Sequence, residues 1–336
     1  MFVKKSTAAI DLGAYSLKYV EVETDSGLVK KAWQGALHPD RRTATEMLVG
    51  RDLHGRVAAL VRRLQSEVAP PSRIVTALQG EGTWIQYLEF PLLAESELKM
   101  AAQAAACKII PFPQARVVLS TVPVPALHGG RSGVLLVAAL REPAGDMSTL
   151  FEECGLVVHR MDVVPLALAR EFGRNHPDRE GMFVCLASVG FSFTHVVVLR
   201  DGIPYCVREL PIGGRHFMHG LQKADHLSWG ETEIRFSSVH LRDHGAACEP
   251  AIREWMHEVH RTILHFNDKV AGPPMAVQEV WLSGGCSAWQ GFPERVAAQL
   301  DLPVEVDGWS RIRWGAQGKH VMAGPWKAAV GMALEQ

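Results

Sequence analysis

The run Ala8-Ala9-Ile10-Asp11-Leu12-Gly13-Ala14-Tyr15-Ser16-Leu17-Lys18-Tyr19-Val20-Glu21-Val22 constrains the fold more than any other part of the chain. Apolar residues lead into Asp11, and Gly13 permits a backbone reversal that a side chain obstructs. From Ser16 the chain alternates apolar and polar positions, as a half-buried strand does. The pattern predicts a hairpin whose tip carries free N–H groups. Such a tip, helped by a hydroxyl and an ammonium, forms an anion-binding concavity, so Gly13, Ala14, Tyr15, Ser16 and Lys18 are candidate holders of a polyphosphate. Asp11, at the strand end, is placed to orient a water of a bound magnesium ion and is the candidate catalytic carboxylate. By itself an Asp-Leu-Gly turn is more often an ordinary hairpin.

A second copy gives the first its weight. Phe183-Val184-Cys185-Leu186-Ala187-Ser188-Val189-Gly190-Phe191-Ser192-Phe193-Thr194-His195-Val196-Val197-Val198 repeats strand, glycine turn and strand. Each copy then meets another turn, Asp25-Ser26-Gly27 before Leu28 to Leu37 and Asp201-Gly202 before Ile203 to Leu210. Repetition in order and spacing argues for two related halves with a phosphate clamped between them, which adds Gly190 and Ser192 to the candidates. Farther on, Val280-Trp281-Leu282-Ser283-Gly284-Gly285-Cys286 reads as a buried strand ending in a glycine pair, with a helix after Phe292. Gly284 and Gly285 let the main chain approach a flat ligand such as adenosine, or simply make a strand-to-helix turn.

The chain has 336 residues, too many for a usual single core, and is expected to divide into lobes. Its 35 basic and 36 acidic residues leave a formal charge of -1. Such a balance supplies no field to draw nucleic acid or anionic lipid. The densest basic cluster, Arg41, Arg42, Arg51, Arg56, Arg62 and Arg63, lacks interleaved aromatics and reads as the solvated side of a loop and helix. Lys4 and Lys5 lead into a strand pattern rather than a signal core, and the longest apolar runs are strand-sized. A soluble, cytoplasmic protein is expected, held at a membrane only through a partner.

The cysteines Cys107, Cys154, Cys185, Cys206, Cys248 and Cys286 form no close pair and read as reduced, mostly core residues. The histidine pairs His216/His219, His240/His244 and His257/His260 have helical spacing, but no further ligands accompany them, so exposed helix positions are favoured over a zinc site.

Strands alternating with helices predict an α/β class. Residues 1–82 are assigned to a first lobe, with a helix from Leu53 to Val68 burying Val57, Leu60, Val61 and Leu64. Residues 83–155 are assigned to a small inserted domain of βαβ type, 156–180 to a return to the first lobe, 181–320 to a second lobe, and 321–336 to a last helix packing on the first. In the second lobe a helix from Ile252 to Phe266 places Ile252, Met256, His260 and Ile263 at core spacing.

These segments resemble the actin-like ATPase superfamily and, within it, the PilM family of type IV pilus assembly. Asp11-Leu12-Gly13 to Lys18 is similar to the superfamily's first phosphate motif, and Leu282-Ser283-Gly284-Gly285 to its adenosine motif. The Ile110-Pro111-Phe112-Pro113 run, Gly133 to Ala139, Cys154-Gly155-Leu156, Asp162 to Arg170, Pro211-Ile212-Gly213-Gly214 and Ala328 to Leu334 resemble PilM. The resemblance implies a two-lobed, duplicated, ribonuclease-H-like α/β fold with a small α+β insertion in the first lobe, and ATP with Mg as ligand. Two departures accompany it. Ser188 stands where the second phosphate motif usually has an aspartate. Within Glu231-Thr232-Glu233-Ile234-Arg235-Phe236, Glu233 matches an adenine-contacting Glu while Phe236 stands near the position of a Lys. Weak or absent hydrolysis follows, because a serine has no fixed negative charge for holding metal or steering a water.

The function implied is a scaffold beneath the inner membrane that binds the N-terminal cytoplasmic tail of a PilN-like membrane protein and links it to pilus motor components. Its peptide groove is expected between the first lobe and the insertion, near Pro111, Phe112 and Pro113, although that run also terminates a helix. The alternatives are an active ATPase or small-molecule kinase of the same superfamily, and a related part of a type II secretion or mannose-sensitive pilus system.

Overall fold

A computed structural model describes residues 6–37, 51–80, 82–238, 240–243, 245–287, 289–315 and 322–334. The first hairpin forms as β1 (Ser6–Leu12) and β2 (Ser16–Glu23), followed by β3 (Leu28–Ala36), helix α1 (Arg51–Val68) and β4 (Arg73–Leu78). An insertion follows: β5 (Thr83–Pro91), α2 (Glu95–Ile109), β6 (Val117–Val124) and β7 (Arg131–Leu140). The chain returns through α3 (Arg141–Glu152), β8 (Val157–Val163) and α4 (Val164–Asn175). The second half comprises β9 (Val184–Val189), β10 (Thr194–Arg200), β11 (Ile203–Leu210), α5 (Gly214–Asp225), α6 (Trp229–Ser238), α7 (Gly245–His265), β12 (Glu279–Ser283), α8 (Phe292–Leu300) and β13 (Val304–Val306). Two-residue β14 (Arg313–Trp314) and α9 (Lys327–Ala333) close the described chain.

The duplication read from the hairpins extends to whole sheets. One runs β14-β3-β2-β1-β4-β8 and the other β11-β10-β9-β12-β13. In each, three antiparallel strands are followed by two strands that join in parallel. Successive side chains of a strand point to opposite faces, and here both faces are covered. Ala8 and Ile10 of β1 enter a core with α1 and with Leu150 and Phe151 of α3. Ala9 between them faces the opposite core, shared with Val184, Leu186, Val197 and Leu199 of the second sheet. Cys185, Ala187 and Val189 of β9 face a third core, built with α5, α7 and α8.

Helices α4 and α9 lie in the core between the two sheets. Their crossing is tight enough to require Gly331, where a Cβ would fall inside the Ala167 carbonyl. Beside it Lys327, fully buried, bonds Glu171 of α4 at 3.0 Å, Asp307 of the second lobe at 2.6 Å and the Gly308 carbonyl at 2.8 Å. Burial and the neighbouring Asp307 charge raise the Glu171 carboxyl to about 8 against the pull of Lys327. Removing one partner of such a buried set costs about 3–5 kcal/mol, because the remaining charges stay desolvated.

Several expectations are corrected by packing. The insertion sheet is wholly antiparallel in the order β5-β7-β6, so β5 and β6 flank β7 rather than forming a βαβ unit. Helix α3, assigned by sequence to the insertion, buries Leu150 and Phe151 against the first sheet. Strand β14, assigned to the second lobe, pairs with β3 of the first. In α7 the buried stripe is Ile252, Trp255, Met256, Val259 and Ile263, with His260 exposed. Leu60 is half-buried, and Cys107 is exposed. Arg41, Arg42 and His244 lie outside the described residues. Among the described residues no helix is long and apolar enough to cross a membrane.

Candidate functional site

The two hairpins face each other across a cleft of about 320 Å³. Into it the first lobe presents Asp11, Gly13, Ala14, Tyr15, Ser16 and Lys18, and the second presents Gly190, Ser192, Glu233, Gly284 and Gly285. Residues far apart in sequence and selected for one ligand thus line one cavity, whose volume suits a small molecule. Pro111 and Phe112 line a different groove, and Pro113 leads into a short turn beyond it.

The hairpins are equivalent residue by residue. Asp11 lies opposite Lys18 in the first, and Ser188 opposite His195 in the second. The Gly13 N–H donates to the Ser16 carbonyl at 3.1 Å, as the Gly190 N–H does to that of Phe193 at 2.9 Å. These glycine N–H groups close the turns, so they are not the free donors expected at the tips. Nor does Gly13 relieve a backbone clash, since a Cβ there would meet its nearest neighbours at 3.4 and 3.8 Å. At Gly284 φ is +85° and a Cβ would fall into the backbone of Val189, so that glycine is required where the chain leaves β12.

Side-chain partners differ between the halves. Lys18 Nζ donates to Asp11 Oδ2 at 3.2 Å, which neutralises both. In the second hairpin His195 Nδ1 lies 3.2 Å from Glu209 Oε2 of β11, in an approach without hydrogen-bond geometry. The same Glu209 oxygen accepts the Gly80 N–H at 2.8 Å. Burial pushes the Glu209 carboxyl up, yet the His195 ring and the Gly80 N–H together hold it below the ordinary carboxylate value. Across the cleft Tyr15 packs on Phe191 with ring centroids 5.4 Å apart, and its hydroxyl donates to Glu233. Phe236, one turn along α6 from Glu233, is buried against Trp289 at 4.1 Å, which leaves an apolar end where the resemblance places a lysine.

Asp11 and Glu233 are the acids among the described lining residues of this cleft. The first is held by Lys18 and the second by Tyr15. No group of three His, Cys, Asp or Glu side chains converges on a metal-sized point among the described residues. Magnesium keeps several waters and takes one or two carboxylates together with substrate phosphates. The second hairpin offers the cleft no carboxylate among the described lining residues, so the protein's part in holding such an ion would fall to Asp11, which Lys18 engages.

Sequence reasoning passed over His195, Gln34, Gln79 and Phe191, which also line the cleft, and Glu209 behind His195. A signal for His195 was present: it follows Ser188 by the spacing that separates Lys18 from Asp11.

A sequence model described as type IV pilus assembly protein PilM matches residues 9–335. The structure resembles a PilM-PilN type IV pilus biogenesis complex at TM-score 0.83 and 21% identity, covering 99% of this chain and 100% of that one. It also resembles the ethanolamine utilization protein EutJ from Carboxydothermus hydrogenoformans at TM-score 0.59 and 16% identity, over 99% and 90% of the two chains. MreB 5 of Spiroplasma citri bound to AMPPNP matches at TM-score 0.56 and 9% identity, over 98% and 95%. At these identities the structural matches establish the actin-like fold.

Proposed function

Because the chain belongs to the type IV pilus assembly protein PilM family, we propose that it is a scaffold of a pilus inner-membrane complex which holds the N-terminal cytoplasmic tail of a PilN-like membrane protein. The observation that carries this reading is a groove of about 560 Å³ between the insertion and the body. Its walls are Trp84 to Tyr87 of β5, Pro111 and Phe112, and Tyr205 to Glu209 of β11, with Gly80 and Pro165 from the first lobe. The wall facing the insertion thus comes largely from the second lobe and not from the first lobe alone.

Strands β5 and β11 are edges of their sheets, so each has main-chain groups available to an extended peptide. The Trp84 indole N–H is buried without a hydrogen-bond partner among the described residues, a donor suited to a peptide carbonyl. Half-buried Phe112 offers aromatic surface for apolar side chains, and buried Tyr87 and Tyr205 form the floor beneath. Bound there, the tail holds the protein beneath the membrane and links it to motor components. Nucleotide in the cleft acts as a conformational ligand rather than a turned-over substrate, since Ser188 supplies no second acid.

Calorimetric titration with a synthetic tail peptide of the PilN-like protein tests the groove. The expected result is one-to-one binding, weakened about 10-fold or more by Phe112→Ala. Equal affinity of that variant and the wild type places the peptide elsewhere.

A further inference from the structure

The equivalence of the hairpins carries one step beyond the scaffold reading, resting on the nucleotide cleft proposed above. In a two-lobed clamp the second hairpin must meet the ligand's phosphates with something. At the carboxylate position this chain has Ser188, and directly opposite it on β10 is His195. His195 is 4% exposed, and its ring lines the cleft. Its Nδ1 is buried against the Glu209 carboxylate, and that carboxylate is itself fixed by the Gly80 N–H. The carboxylate lies beside this nitrogen without hydrogen-bond geometry, as a counter-charge for a protonated ring. Nε2 is left as the nitrogen that can serve the cleft. With a second proton there, the imidazolium donates to an anion while Glu209 offsets the charge it gains.

We propose that His195 is the second lobe's phosphate contact, so that the cleft takes the phosphate end of a nucleotide between Lys18 and His195 with no divalent ion bridging the hairpins. Two features agree. The first hairpin offers the cleft one carboxylate, Asp11, and Lys18 already engages it. The second hairpin offers Ser188 and Ser192, hydroxyls that donate to phosphate oxygens, and no carboxylate among the described lining residues. The protein side chain thus takes the place that a metal-bound carboxylate holds in a symmetric clamp.

Titrations of ATP and of adenosine, each in magnesium and in excess chelator, test this on the wild type, His195→Gln and His195→Lys. Gln keeps a donor for Glu209 without the charge, and Lys restores a fixed cation. Wild-type affinity for ATP is expected to agree within about threefold between the two buffers. His195→Gln is expected to lose about 10-fold for ATP, the worth of one charge-assisted hydrogen bond, with adenosine unaffected and with His195→Lys near wild type. A wild type whose ATP binding falls more than about 100-fold in chelator overturns the proposal without any variant. So does a His195→Gln protein that binds ATP like wild type in chelator. If the wild type binds neither ATP nor adenosine in either buffer, the nucleotide reading itself fails and this inference with it.

Discussion

The two hairpins share a backbone and differ in what that backbone demands. At the first turn Gly13 is sterically replaceable, whereas a Cβ at Gly190 would stand 2.8 Å from the Phe193 carbonyl oxygen. The first hairpin carries its charges within one strand pair, Asp11 on Lys18. The second has moved its acid outward by one strand, to Glu209 on β11, where Gln34 of β3 holds the matching place beside Lys18. One duplicated unit has thus diverged into a hairpin with room for a ligand at its turn and a hairpin whose turn is packed, with the charges rearranged accordingly.

The sharpest way to break that comparison is to give both turns a methyl group. Gly190→Ala is expected to destabilise the fold by about 2–3 kcal/mol in urea unfolding, through overpacking against backbone. Gly13→Ala is expected to stay within about 0.5 kcal/mol of wild type. Similar losses at both turns would erase the distinction. Ser188→Asp sharpens it from the other side by restoring the acid. ATP titrations are expected to show about 10-fold tighter binding in magnesium than in chelator for this variant, with a stability cost of about 1–2 kcal/mol for the buried carboxylate. A variant indifferent to magnesium denies Ser188 its part in the difference.

Tyr15→Phe addresses the contact between the halves. Losing the hydroxyl that donates to Glu233 is expected to cost about 0.5–1.5 kcal/mol in thermal or urea unfolding, while the packing on Phe191 remains. No change would mean that at this cleft the ring packing alone carries the contact between Tyr15 and the second lobe. The smallest effect is in pH dependence. The folded state holds the Glu209 carboxyl below its ordinary value, so its stabilisation is present above the unfolded pKa and is lost as pH falls through the folded one. Between pH 6 and pH 3 the wild type is therefore expected to lose stability more steeply than Glu209→Gln, and Gln34→Ala to leave the slope unchanged. Parallel slopes for wild type and Glu209→Gln would remove the distinction between the two outer positions.

Much of the site was legible because its parts are local. A strand, a glycine and a strand make a hairpin wherever they occur, so the candidates from Gly13 to Lys18 and from Gly190 to Ser192 could be chosen without knowing the fold. The repeated order of the two halves argues that they meet at one ligand, while Gly284 comes from the glycine pair after a buried strand and Glu233 from the family resemblance. What escaped depends on register and on packing between distant segments. His195 gains its meaning from standing opposite Ser188, and Glu209 gains its own from standing beside His195. The apolar residues of α3 announce a helix but not which sheet covers them, and the two residues of β14 are too few to announce a strand. Gly13 invited a steric explanation that the backbone does not require.

Lys327 also sets an order of events during synthesis. The inner faces of both sheets share a core that includes α9, and Glu171 and Asp307 share this lysine as counter-charge. A nascent chain whose last emerged residue precedes 327 has made the described strands of both lobes, yet exposes the apolar inner face that α9 covers and two acids without their cation. The two lobes therefore share one late-arriving piece of core, and the seam between them stays open until this helix reaches it.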